Sequence, residues 1–317
     1  MLKPRIQEYV SRLSHGAQIE VNTSDLLPAA YHFNPTLILS GPECLMMYRR
    51  VNEINKTGIR AIALCRLGET LQPEAGSNVD IDSQIDVPVN ANGTRWLADP
   101  RFFEKDNEIW FSFHDNSVLY TCPLQLGASG APLRPVRPRM VDVPERAKER
   151  NWGFFQSGQM KAVYSLSPFK ILKFETGDTE WLGKTMHEQN ANLEWRRRRL
   201  GEPHGGSMPQ RIGNRWFGFM QSAELRGFRK TRHYHVGFYS FEAEEPHRLL
   251  SMSRVPVISG DDFPGERSFW KRWSVTYPSG AVHLDGKWLV SLGIHDKRSV
   301  LAVFDHNRLL AESEHFA

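Results

Sequence analysis

Apolar positions in this chain fall in short runs, and Gly, Pro, Asn or Asp interrupts nearly every run. That is the pattern of strands and turns. Long helical periodicity is scarce. Residues 4–14 fit a short amphipathic helix, and residues 188–200, EQNANLEWRRRRL, fit either a second helix or a basic loop. The strand pattern recurs. FNPTLILSGPECLMMYRRV reads as strand, Gly-Pro turn, strand, with IRAIALCRL as a third. WLADPRFFEKDNEIWFSFHD repeats the plan around an Asp-Asn turn, with VLYTCPL third. NWGFFQSGQMKAVYSLSP is followed by KILKFET, and GGSMPQRIGNRWFGFMQS by YHVGFYSFEA. YPSGAVHLDGKWLVSLGIHD turns at Asp-Gly and ends with SVLAVFD. Asn, Asp and Gly tolerate the positive φ that such tight hairpins need.

Five units of three or more strands, spaced by about 50–75 residues, predict a propeller. The expected fold is all-β: a five-bladed β-propeller over residues 31–317, preceded by an N-terminal extension over residues 1–30. A large β-sandwich without radial symmetry is the alternative. In a propeller the first strand of each blade lines the central channel, and its entrance residues face a common cleft. Those residues are Asn34-Pro35, Asp99-Pro100-Arg101, Asn151-Trp152, Gly205-Gly206-Ser207 and Ser279-Gly280. The ends of the second strands read YRRVN, FHDN, YSLSP, MQS and GIHD. Ionisable groups therefore converge where a ligand would sit.

Composition narrows the reading only modestly. The 317 residues are 40% hydrophobic and 24% charged, with a net charge of +4, which suits anionic ligands but lacks the basic weight of a nucleic-acid binder. Arg196 to Arg199 form a basic run without interleaved stacking aromatics, so a solvated face is the plainer reading, with an acidic glycan or partner as the alternative. Cys44, Cys65 and Cys122 are too scattered for a disulfide framework or a zinc site, and they read as reduced thiols of a cytoplasmic protein. No run approaches eighteen apolar residues, so no membrane span is expected. No secretory signal, metal site or cofactor is read. Nine tryptophans suit β-structure and also sugar clefts. Trp96, Trp270 and Trp273 are assigned to packing, and Trp152, beside Asn151, to a sugar platform.

The ordered series FNP…YR, ADPRFF, NWGFF…VYSLSP, GGSMP…GFMQS, YPSG…SLGIHD resembles the five-bladed propellers of the mannoside phosphorylases, glycoside hydrolase family 130, and related mannosyltransferases. The resemblance runs from about Asn34 to Asp296. It implies an inverting reaction on mannosides, with Asp99, the aspartate before Pro-Arg, as general acid. Independently of it, glycosidic cleavage needs a proton for the leaving oxygen and a nucleophile on the opposite face of the ring. Phosphate as nucleophile calls for cations, and water calls for a second carboxylate. Asp296 is the candidate second carboxylate. Arg49, Arg50, Arg101, Arg150 and Lys161 are candidate cations, and Arg101 either binds substrate or holds Asp99 as its ion partner. Asn34, Asp115, Asn151, Gly206 and Ser279 complete the expected cleft. The blade-three stretch YSLSP stands where phosphorolytic members carry His-Arg-Pro, and MQS where they carry Tyr-His-Gly; both departures weigh against standard phosphorolysis. His233, Tyr234 and His235 either replace part of that chemistry or bind another donor.

The partners expected are a carbohydrate and, with it, phosphate, a sugar phosphate or a nucleotide sugar; homo-oligomer formation stays open. Two rival functions and one bland reading remain. One is a furanosidase or fructosidase of propeller type, for which Glu224 and Glu242 would be the acids. Another is a propeller that binds glycans without turning them over. In the blandest, Asp99, Asp115 and Asp296 are turn residues.

Overall fold

The computed structural model describes residues 2–52, 60–86, 96–115, 117–125, 132–142, 150–191, 193–228, 230–265, 267–268 and 273–316. Five antiparallel sheets follow one another along the chain. Blade one comprises Tyr31–Ser40, Glu43–Val51, Arg60–Leu67 and Val79–Asp80. Blade two comprises Ala98–Lys105, Glu108–His114 and Leu119–Pro123. Blade three runs Gly153–Ser157, Gln159–Leu166, Phe169–Thr176 and Glu180–Gln189, with Arg137–Met140 added in parallel at its outer edge. Blade four is built on Arg215–Arg226 and Thr231–Glu242, flanked by His204–Gly205 and Leu249–Ser253. Blade five comprises Thr276–Leu284, Lys287–Ile294 and Arg298–Asp305, and Gln18–Glu20 is its outer strand.

The sheets form a closed ring. The first strand of blade one touches the first strands of blades two and five, and contacts continue from blade two to three, three to four and four to five. This is the five-bladed propeller, and the sandwich alternative falls away.

The apolar runs of the inner strands lack clean alternation because both faces of each blade are buried. Successive residues point to opposite sides of a strand, so neighbours in sequence serve different interblade cores. Leu37 packs between blades five and one, and Ile38 between one and two. Phe102 and Phe103 divide in the same way between the one–two and two–three clusters, and Phe154 and Phe155 between two–three and three–four. Trp216 and Phe217 serve three–four and four–five, and Ala281 and Val282 return the pattern to blade one. Five such clusters hold the ring together.

The expected helix over residues 4–14 is Leu2–Arg12, and its Ile6 and Val10 are buried between blades five and one. At residues 188–200 the outcome is mixed: the strand runs to Gln189, and only Glu194–Arg197 is helical. Trp270 lies outside the described residues. All three cysteines are buried and free. No helix among the described residues is long and apolar enough to cross a membrane.

The mouth of the channel is shaped by one repeated irregularity. Asn34 and Asp99 have φ of 51° and 53°, each is followed by proline, and each sits in a bulge of its blade's first strand. A third bulge falls between Pro278 and Gly280, and Asn151, at φ 66°, precedes the first strand of blade three. Asn and Asp are the non-glycine residues that best tolerate this conformation.

The N-terminal helix is part of an interblade core, so Ile6→Ala should lower stability by about 2–5 kcal/mol. A urea titration should show a lower midpoint at unchanged slope.

Candidate active site

The bulges turn polar side chains into one cavity of about 610 Å³ at the channel mouth. Asp99 is its centre. Asn34 Nδ2 donates to Asp99 Oδ1 at 2.7 Å, and Arg49 Nη1 reaches the same oxygen at 3.2 Å. His114 Nε2 lies 2.9 Å from Oδ2. Blade one thus supplies an amide and a guanidinium, and blade two an imidazole. The neighbouring polar group is Asn151, whose Oδ1 accepts from Arg101 Nη2 at 2.7 Å and from the Tyr277 hydroxyl at 2.8 Å. Arg101 also lies over the Tyr277 ring. Four blades are tied together beneath the cavity.

Asp296 enters from blade five. It stands in the turn after Lys287–Ile294, with His295 and Asp296 at φ 54° and 58°. His295 fixes the turn: its Nδ1 accepts from Val275 N–H at 3.0 Å, and its Nε2 reaches the Phe263 carbonyl at 3.0 Å. These partners select the neutral tautomer with hydrogen on Nε2. The Ser268 hydroxyl donates to Asp296 Oδ2.

The two carboxyls are driven in opposite directions. Burial alone would raise Asp99, but the His114 hydrogen bond, the Arg49 charge and the Asn34 amide override it and hold this carboxyl well below the usual range. His114 itself is pushed down by burial, and the charges of Arg150 and Arg49 add to that. Asp296 is pushed up by burial to about 6, helped by the Asp99 charge and opposed by Ser268 and Arg49. Asp99 is an anion with three donors, and Asp296 is a carboxyl that keeps its proton into the mildly acidic range.

No family model and no curated protein matches the chain. Solved structures do. A β-1,2-mannobiose phosphorylase from Listeria innocua, in complex with β-1,2-mannobiose, superposes with a TM-score of 0.63 at 11% identity, over 95% of this chain and 94% of that one. A structure described under the glycoside hydrolases of family 130 that target β-1,2-mannosidic linkages in Candida mannan gives 0.63 at 10% identity, over 93% and 96%. A mannose phosphorylase from Leishmania mexicana, in complex with phosphate ion, gives 0.55 at 10% identity, over 99% and 96%. The chain has the mannoside-phosphorylase fold. The phosphorylases and the hydrolases share this five-bladed frame, so fold alone leaves the reaction to be argued from side chains.

Of the residues expected at the cleft, Asn34, Arg49, Asp99, Arg150, Asn151, Tyr234 and Asp296 line this cavity in the mannoside-phosphorylase frame. Arg101 lies below it, bonded to Asn151, and the ion partner of Asp99 is Arg49 instead. Several others face elsewhere. Arg50 pairs with Asp80 at 2.8 Å, and Lys161 is buried against the Ser157 carbonyl and Glu245. The placement of Arg50 follows from alternation: Arg49 points in, so Arg50 points out. Asp115 caps its own turn through Ser117 N–H and Val118 N–H. Trp152 is fully buried against Tyr164 and Phe174, and so is core, not platform. Gly206 is a packing requirement, because a Cβ there would lie 2.6 Å from Phe219 O and from Pro278 Cγ. Ser279 is buried and outside the lining. His233 and His235 bind Asp261 and Glu224 on the far side of their strand.

Sequence reading missed Glu202, Gln221, Arg232 and Tyr277 as lining residues, placed Trp273 in packing, and left out His114 as the partner of Asp99. Alternation held the signal for one of them, since Arg232 shares a face with Tyr234. Among the described residues no group of three or more His, Cys, Asp or Glu is placed to hold a metal ion.

The raised Asp296 predicts a pH-dependent stability difference. The folded state keeps a proton up to about 6 that the unfolded chain releases near 3.8. Asp296 therefore costs stability increasingly as pH rises across that window, and the cost is constant above it. Melting temperatures of wild type and Asp296→Asn should coincide near pH 3.5 and diverge in favour of the variant up to pH 6.5. Parallel curves throughout would show that Asp296 is not perturbed.

Proposed function

We propose that this protein makes or breaks a glycosidic bond of a mannoside or a related sugar with inversion, and that Asp99 and Asp296 divide the proton transfers. The observation that carries this reading is the split between two carboxyls facing one cavity: one held ionised by cation and donors, the other protonated by burial. Such a split is how acid and base are assigned in carboxyl-dependent glycosyl transfer.

Asp296 donates its proton to the departing glycosidic oxygen. Asp99, as the anion, accepts the proton of an attacking hydroxyl, and Arg49, His114 and Asn34 fix its orientation. The positive charge that develops on the sugar ring is stabilised by the same carboxylate. This exchanges the donor role expected of Asp99 for the base role, because its surroundings stabilise the charged form. The attacking hydroxyl belongs to water or to an acceptor sugar. The solved neighbours that act on mannosides support the sugar class.

Phosphorolysis is the second reading. Arg150, which borders the Asp99–His114 pair, favours it as a cation for free phosphate. Against it, Lys161 faces away from the cavity and the stretch YSLSP adds nothing to the lining.

The test supplies β-mannobiose in buffer, β-mannobiose with phosphate, and mannose 1-phosphate or GDP-mannose with mannose, and reads products and anomeric configuration by NMR. Asp99→Asn and Asp296→Asn should each lower kcat by about 10²–10⁴-fold while the fold is kept. In wild type kcat should fall as pH rises above about 6, because the donor loses its proton. Unaltered turnover in both variants, or a product of retained configuration, would sink the reading.

A further inference from the structure

Three cations, Arg49, Arg150 and Arg232, and three carboxyls, Asp99, Glu202 and Asp296, line the cavity, but they do not pair one to one. Asp99 is matched by Arg49, and Glu202 by Arg196 at 2.9 Å. Arg150 and Arg232 line the same cavity, and among the described residues neither has a carboxylate partner.

Arg232 is set apart from its neighbours by the geometry of the ribbon that carries it. Arg215–Arg226 and Thr231–Glu242 pair along twelve residues each, and Ala223 opposes Tyr234 while Leu225 opposes Arg232. Side chains of opposed residues share a face. One face therefore presents Ala223, Tyr234, Leu225 and Arg232, all of which line the cavity. The other face presents Glu224, Arg226, His233 and His235, and there every charge is answered. His235 Nε2 meets Glu224 at 2.8 Å, while His233 and Arg226 meet Asp261 at 2.9 and 2.8 Å. The back of the ribbon is neutralised and anchored; its front carries one unanswered guanidinium.

That guanidinium is also oriented. It lies over the Trp273 ring, 4.8 Å from the centroid, and Trp273 approaches Tyr234 at 6.4 Å. The strand beneath is pinned by Ser274 N–H to Arg232 O at 3.0 Å and Tyr234 N–H to Ser274 O at 2.8 Å. An arginine stacked on an aromatic ring keeps its in-plane N–H groups free for a carboxylate or phosphate. On the same strand as Ala223, the buried Gln221 Oε1 has no partner among the described residues, which suits a sugar hydroxyl beside that anion.

We propose that the glycan bound here is acidic: a sugar of the ligand bears a covalent carboxylate or phosphate, and Arg150 and Arg232 receive that charge. The inference rests on the proposed function for the sugar and goes beyond it in fixing the charge of the substrate; the disaccharide in the Listeria innocua complex, β-1,2-mannobiose, is neutral.

The test is calorimetric binding to the full chain, which needs no turnover. The probes are a β-linked mannuronic acid disaccharide, β-mannobiose 6-phosphate, neutral β-mannobiose and inorganic phosphate. The proteins are wild type, Arg232→Gln, Arg150→Gln and, as a charge control on the opposite mouth of the channel, Arg211→Gln. At least one acidic disaccharide should bind about tenfold or more tighter than the neutral one, as expected for a charge-assisted contact. That preference should shrink in Arg232→Gln and Arg150→Gln, persist in Arg211→Gln, and weaken with added salt. The ratio between the two acidic probes tells carboxylate from phosphate. Equal or tighter binding of neutral β-mannobiose overturns the proposal, as does failure of both acidic probes to bind, or a preference that survives both cavity variants. Inorganic phosphate binding as tightly as the acidic disaccharides also overturns it, and moves the charge to a separate anion. Acid preference without turnover of any sugar would remove the proposed reaction and leave this inference standing; turnover of neutral β-mannobiose without acid preference would do the reverse.

Discussion

The site depends on a backbone constraint. At Asn34 and Asp99 the chain takes a left-handed turn immediately before proline, within the first half of what is otherwise an inner strand. A regular strand would send these side chains into an interblade core. The bulge sends them to the mouth of the channel, where the Asn34 amide meets the Asp99 carboxylate at 2.7 Å. The strand resumes beyond the bulge and returns Leu37 and Phe102 to their cores. The same short segment therefore serves two incompatible demands: apolar packing on both faces, and a polar group aimed along the axis. Strain of this kind persists where surrounding structure over-determines it, and here both flanking cores do so.

Electrostatics then differentiates two chemically identical groups. Asp99 and Asp296 share a cavity, but Asp99 sits among donors and a guanidinium while Asp296 sits in a turn with one hydroxyl. Residue type carries no information about this difference. It arises from which blade delivers each neighbour, and Arg49 and Asp99 are fifty residues apart in the chain.

That distinction explains what could be read from sequence. The five-unit period was legible because each blade repeats its own strand and turn chemistry locally. The positive-φ residues at 34, 99 and 151 were legible because Asn or Asp near the start of an inner strand is a local pattern. Facing direction was partly legible. Arg49 against Arg50, and Tyr234 against His233 and His235, are separated by alternation alone, yet all five were placed in the cleft. Trp152 illustrates a different failure: its neighbour Asn151 is at the mouth, but one residue further the side chain has turned into the core. His114 and Tyr277 matter through the partners they meet in the fold, so nothing local marked them, whereas alternation with Tyr234 did mark Arg232.

The outer strand of blade five has a consequence for how the molecule comes into being. Gln18–Glu20 hydrogen-bonds with Arg298–Asp305, so the edge of the last sheet is made by a segment synthesised 280 to 284 residues before its partners. Contacts of such separation carry the largest loop-closure entropy in the chain. Until blade five is made, the early segment has no strand to pair with and the cavity lacks the wall that brings Asp296. Without blade five the channel mouth is an open cleft lacking Asp296. Closing the ring and completing the lining of the cavity are then one event.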